Sequence, residues 1–188
     1  MAPRLAADRL LHLVAVRATM EFTVVQGDIA AQAADALVNA AGTSLRMGSG
    51  VAGALRRAGG EALARAAVAA GPVDLGAAAV TDAFTLDADY VVHAAAMPHF
   101  GNGRATAASI RDATTSALRA ADDLGCTSLV LPVLGTGAAG FAFEDGARLV
   151  CESVAAFEPA SLADVRVIAY GDDEYESLQR VAAAVASG

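Results

Sequence analysis

The sequence predicts an α/β sandwich around a largely parallel, mixed sheet, and three observations predict it. Short apolar runs rich in β-branched residues alternate with longer helix-like runs between residues 22 and 186, the pattern of strand–helix–strand crossovers. Two of the runs, 77–84 and 90–96, are joined by only a short turn, LDAD. That reads as a hairpin and makes the sheet mixed. Two glycine-rich loops, GSGVAG and GTGAAG, each open a helix. At 188 residues and 55% apolar, the chain is long enough to bury a sizeable core and too apolar for disorder.

The elements follow in order. The first strand is 22–26, FTVVQ, ending in Gly27, Asp28 and Ile29. Ligands bind beyond the carboxyl ends of strands in open α/β sheets, so the Asp28 carboxylate either meets a ligand or caps a short helical turn at 29–34. Residues 36–41, ALVNAA, form a short buried strand with one polar residue, Asn39. Its amide must be hydrogen-bonded, to neighbouring backbone or to a ligand. Residues 42–47 lead into GSGVAG, followed by helices at 51–58 and 61–70; Gly71-Pro72 stops the second. His93 lies inside the second hairpin strand, where it reads as a satisfied core residue. The loop 97–103, MPHFGNG, leaves that strand's carboxyl end and is expected to wall a cleft.

Residues 105–124 form an amphipathic helix with Ile110, Ala113, Ala117, Leu118, Ala121 and Leu124 near one face. A strand at 128–134, SLVLPVL, the GTGAAG loop and a helix at 144–157 come next. The last strand, 164–170, ends in Tyr170, and a helix at 173–186 closes the chain. Residues 1–19 look different, with a basic tilt from Arg4, Arg9 and Arg17. They read as an N-terminal extension or edge element in front of one domain at 20–188.

The net charge is −8, and all 13 basic residues are arginines. Such a chain repels nucleic acid, which is not an expected partner. No apolar run is long enough to span a membrane, and no signal-peptide pattern opens the chain, so the cytoplasm is the expected compartment. Cys126 and Cys151 make neither a metal spacing nor a disulfide framework and read as buried thiols. No metal or cofactor is expected.

The chemistry gathers on the two loops. Gly48-Ser49-Gly50-Val51-Ala52-Gly53 and Gly135-Thr136-Gly137-Ala138-Ala139-Gly140 share the spacing G-x-G-x-x-G. Glycines let backbone approach a bulky anion, and N–H groups near a helix start attract negative charge. Two such loops facing one cleft suit a nucleotide diphosphate. A Rossmann dehydrogenase fits poorly. GSGVAG is separated from its strand by six residues, and no acid ends a strand about 20 residues after either loop.

The run FTVVQGDIAAQAADALVNAAGTSLRMGSGVAGALRRAGG resembles the opening of a macro domain. That family typically shows a strand ending G-D-I, then V-N-A-A-N, then a glycine-rich loop. AAAVTDAF with YVVHAAAMP, SLVLPVLGTGAAGF and DVRVIAY resemble its later segments in the same order. The resemblance covers residues 20–186. It implies a three-layer α/β/α fold with a mixed, mostly parallel sheet, and ADP-ribose or an ADP-ribosylated molecule as partner. Asp28 and the Ile29 backbone would meet the adenine, and Tyr170 would lie against its ring. Asn39 is a further ligand-side candidate. Gly48, Ser49, Gly50, Val51 and Ala52 on one loop, and Gly135, Thr136, Gly137, Ala138, Ala139, Gly140 and Phe141 on the other, would hold the diphosphate.

The resemblance also implies hydrolysis of ADP-ribosyl groups or of ADP-ribose 1″-phosphate, but here the chain departs from the family. The second Asn of V-N-A-A-N is Gly42, and the first-loop Asp of the strongest hydrolases is Ala52. No catalytic residue is assigned, and a binding-only module stands as the alternative.

Overall fold

The computed structural model describes residues 19–99 and 102–188. Strands β1 (Glu21–Gln26), β2 (Ala36–Gly42), β3 (Ala78–Asp82), β4 (Tyr90–Met97), β5 (Ser128–Pro132) and β6 (Asp164–Ala169) form one sheet. Their order is β1-β6-β5-β2-β4-β3. Neighbours run parallel except β3 and β4, the hairpin pair. Helices α1 (Gly50–Gly59) and α2 (Glu61–Ala70) cover one face, while α3 (Ala107–Asp123), α4 (Phe143–Ala156) and α5 (Asp172–Ala186) cover the other.

Strand alternation explains the layers. On β2, Leu37 and Ala41 pack with Leu55 of α1 and Leu63 of α2. Val38 points the other way, into a core with Leu118 of α3, Val150 of α4 and Leu178 of α5. A strand buried on both faces must be apolar throughout, which is why β2, β4 and β5 read as continuous apolar runs.

The polar exceptions form a ladder across three strands. Asn39 and His93 stand opposite each other in the β2–β4 register. Asn39 Nδ2 donates to His93 Nδ1 at 3.0 Å, which leaves Nε2–H to donate to Thr81 Oγ1, also at 3.0 Å. His93 is fully buried, and burial pulls its pKa down to about 4. The ring is therefore neutral, as a core histidine must be. Both cysteines are buried; burial pushes the Cys151 thiol up to about 12, so it is an inert core group.

Several boundaries differ from the sequence reading. The strand expected to reach residue 84 stops at Asp82, because Phe84 turns with a φ of 54°. The strand expected to reach 134 stops at Pro132, which brings no N–H to a ladder; Val133 and Leu134 continue as buried loop. The helix expected from 105 starts at Ala107, where Thr106 and Ser109 form a reciprocal capping box. The turn expected over 29–34 is one 3-10 turn, Ile29–Ala31. The N-terminal element read at 1–19 lies outside the described residues except for Thr19, and Phe100 of the expected cleft wall lies outside them as well.

Candidate functional site

The sheet opens at its carboxyl edge between β2 and β5. Their ladder has only two rungs, Ala36 with Leu129 and Leu37 with Val130. Beyond it, β2 leads to α1 on one face, and β5 leads to α4 on the other. This is a topological switch point, where a parallel sheet leaves a crevice for a ligand.

One wall is the loop before α1. The first helical bond is Gly53 N–H to Ser49 O at 3.1 Å. The amides of Gly50, Val51 and Ala52 make no hydrogen bond among the described residues, and no side chain caps them. A Cβ built on Gly48 or Gly50 would meet nothing within 4 Å. Open amides, bare α-carbons and the positive end of the helix dipole are together the features an anion can approach. Arg56 anchors the loop from behind, donating to Met47 O at 3.1 Å while Glu61 grips its guanidinium in two bonds of 2.8 Å. The sequence reading missed Arg56, although its spacing from Glu61 is a helix-to-helix pairing signal.

The other wall is the loop before α4, built as a closed turn. Gly140 N–H donates to Gly137 O and Phe141 N–H to Gly135 O, both at 3.1 Å. The amides of Thr136, Gly137, Ala138 and Ala139 are left without an acceptor among the described residues. Gly135 has a φ of 79°, and a Cβ there would sit 2.8 Å from Ile110, so only glycine fits. Ala139 is buried, Phe141 half-buried, and Gly137 faces open space.

At the β1–β6 end, Asp28 and Tyr170 leave adjacent strands side by side, since Gln26 pairs with Ala169. Asp28 Oδ1 accepts from Ala30 N–H at 2.9 Å, capping the 3-10 turn; its carboxylate remains exposed. Capping and ligand contact are therefore compatible at this residue. Ile29 is buried, and Tyr170 is 77% exposed. Gln26 holds the Tyr170 segment, donating from Nε2 to Asp172 Oδ1 at 2.7 Å.

Two site positions carry the chain's departures. Ala52 is packed in the core beneath α1 and offers no functional group. Gly42 is buried too, and a Cβ there would meet Pro98 O at 3.2 Å and Met97 Cε at 3.5 Å. A bulge causes this approach: Ala41 pairs with Ala95, but Gly42 pairs with Met97. The bulged Ala96 carbonyl accepts from the buried Ser109 hydroxyl at 2.6 Å. A side chain at position 42 would thus press on the β4–α3 connection, and the Pro98 carbonyl would have to give by a few tenths of an ångström. Asn39 lies in the sheet interior, fully buried; its Oδ1 has no partner among the described residues.

Charge is divided along this edge. No Asp or Glu occurs in 36–60, 90–111 or 124–143, the segments that carry the two loops and the β4–α3 connection. Asp28, Asp172, Asp173 and Glu174 gather at the β1–β6 end. Other concavities lie elsewhere. A 590 Å³ groove between α3 and α4 includes Arg111 and Glu152, 4.0 Å apart, and a 350 Å³ hollow lies near Asp35 and Asp89, beside the amino ends of β2 and β4. Neither borders the open amides. Among the described residues, no His, Cys, Asp and Glu cluster suits a metal ion, and no helix is long and apolar enough to cross a membrane.

The macro domain family model matches residues 38–150. An uncharacterized protein of Mycobacterium tuberculosis is 42% identical over 81% of this chain. The chain spans only 42% of that relative's length. A macro domain-containing protein of Streptomyces coelicolor is 35% identical, over 82% of this chain and 94% of its own length. Among solved structures, a point mutant of an Oceanobacillus iheyensis macrodomain with ADPR superposes at a TM-score of 0.79, with 21% identity, covering 88% of this chain and 93% of that one. A Trypanosoma brucei macrodomain in complex with ADP-ribose superposes at 0.74, with 24% identity, covering 85% of this chain and 68% of that one. The chain belongs to the macro domain family.

Proposed function

We propose that this chain binds ADP-ribose, free or as an ADP-ribosyl group on a larger molecule. The observation that carries the reading is the pair of glycine loops whose amides stand open on the two walls of one crevice, on segments that hold no Asp or Glu. The adenine lies at the β1–β6 end, where the Asp28 carboxylate accepts from its amino group and the exposed Tyr170 ring lies against its face. Such a ring contact is worth about 1–3 kcal/mol. The diphosphate lies between the loops, held by the amides of 50–52 and 136–139. Aligned amides supply local positive potential, so a chain of net charge −8 can hold an anion. The macrodomains solved with ADP-ribose support the reading through their shared fold.

Binding is the function we assign. Hydrolysis of ADP-ribosyl linkages, or of ADP-ribose 1″-phosphate, is the narrower reading. Ala52 and Gly42 give the loops neither a carboxylate base nor a ribose-orienting amide, so turnover would rely on water held by the ligand's own diphosphate.

Calorimetric titration with ADP-ribose, ADP, AMP and NAD tests the assignment. Micromolar ADP-ribose binding that Asp28→Ala weakens is the expected result. A folded protein that binds none of the four overturns it. Incubation with an ADP-ribosylated protein separates the narrower reading, since a binder leaves the modification intact.

A further inference from the structure

We propose that Arg104 is a charge-selective contact of this site, gripping the anionic part of the ligand from above the second loop. The inference rests on the binding reading given above. Its basis is where the guanidinium lies. The Cδ, Nε and Cζ atoms of Arg104 stand 3.7–3.8 Å from the position a Cβ would take on Gly140. The side chain therefore lies along the closing glycine of the loop whose amides stand open.

Three further observations aim this charge at a ligand. Arg104 is exposed and makes no ion pair or hydrogen bond among the described residues. No carboxylate occurs on either loop or on the β4–α3 connection that carries Arg104. Its backbone is also anchored to the loop, because the next residue, Ala105, donates its N–H to Ala139 O at 3.4 Å. The residue after that, Thr106, caps α3. A guanidinium without a protein partner, lying beside this loop's open amides, adds a charge-assisted bond to a loop whose own donors are all neutral.

The test is titration of the intact chain with ADP-ribose at low and high salt, using Arg104→Gln and Arg104→Lys, with the melting temperature of each. Arg104→Gln is expected to weaken ADP-ribose binding about tenfold at low salt, the worth of one charge-assisted bond at an exposed site. The gap should narrow at high salt, Arg104→Lys should recover part of the affinity, and melting should not change. Wild-type affinity in Arg104→Gln at low salt overturns the inference and leaves the binding reading intact. Equal weakening in both variants with lowered melting also overturns it, by making the residue structural. Absence of ADP-ribose binding by the wild-type chain would remove both.

Discussion

The loops at 48–53 and 135–140 share one spacing and are different devices. In the first, the helix begins inside the motif, at Gly50, so the open amides are the first turn of α1 itself. In the second, the motif closes on itself through Gly140 and Phe141, and α4 begins only at Phe143. The first turn of α4 carries Glu144 and Asp145, which already complement its dipole, whereas the first turn of α1 holds no acid. One loop thus offers a helix end to an anion, and the other offers a turn of backbone packed against α3. The lesson is that G-x-G-x-x-G states where backbone can be approached and not which part of a helix approaches it.

The largest expected effects break each device in turn. Gly48→Glu and Gly137→Glu each place a carboxylate where a Cβ meets nothing within 4 Å. Each should weaken ADP-ribose binding about a thousandfold by repulsion and blocked amides, with little change in melting temperature. Retained affinity in either variant would remove that loop from the site.

The next effect separates the loops from the sheet beneath them. Neither loop contains a titratable side chain, while His93 sits in the sheet with a pKa of about 4. The unfolded chain takes up a proton near pH 6.5 that the folded chain refuses until about pH 4. Stability from this group is thus complete above the unfolded value and falls as pH drops through that window, by about 3 kcal/mol in all. Urea unfolding at pH 7 and pH 4.5 should show the loss, and His93→Gln should reduce its pH dependence.

Smaller effects test the packing contrast. Gly135→Ala forces a side chain into a left-handed conformation against Ile110 and should cost about 2 kcal/mol. Gly48→Ala, in open space, should stay within about 0.5 kcal/mol of wild type in the same denaturation measurement.

Most of the fold was legible because its signals are local. Periodicity gave the strands and helices, and the short LDAD turn gave the antiparallel pair. What escaped was set by contacts between distant segments. The Ala96 bulge is a one-residue register slip, held by a hydroxyl on α3, and nothing in MPHF announces it. Asn39 read as a buried amide needing a partner, but that partner, His93, is revealed only by the register of two strands. Arg104 reaches Gly140 across a gap of many residues, so its place beside the loop is a product of packing. The missing side chains at 42 and 52 were visible at once; that one of them is backed by Pro98 was not.

That last contact ties two parts of the chain into one heritable unit. With the bulge in place, a side chain at position 42 starts 3.2 Å from the Pro98 carbonyl, so that carbonyl must give by a few tenths of an ångström. A substitution at position 42 and a change in the β4–α3 connection touch the same contact, so their effects on stability should not add. A single-site library at position 42 therefore samples only one side of that contact, and pairing it with changes in residues 96–98 samples both.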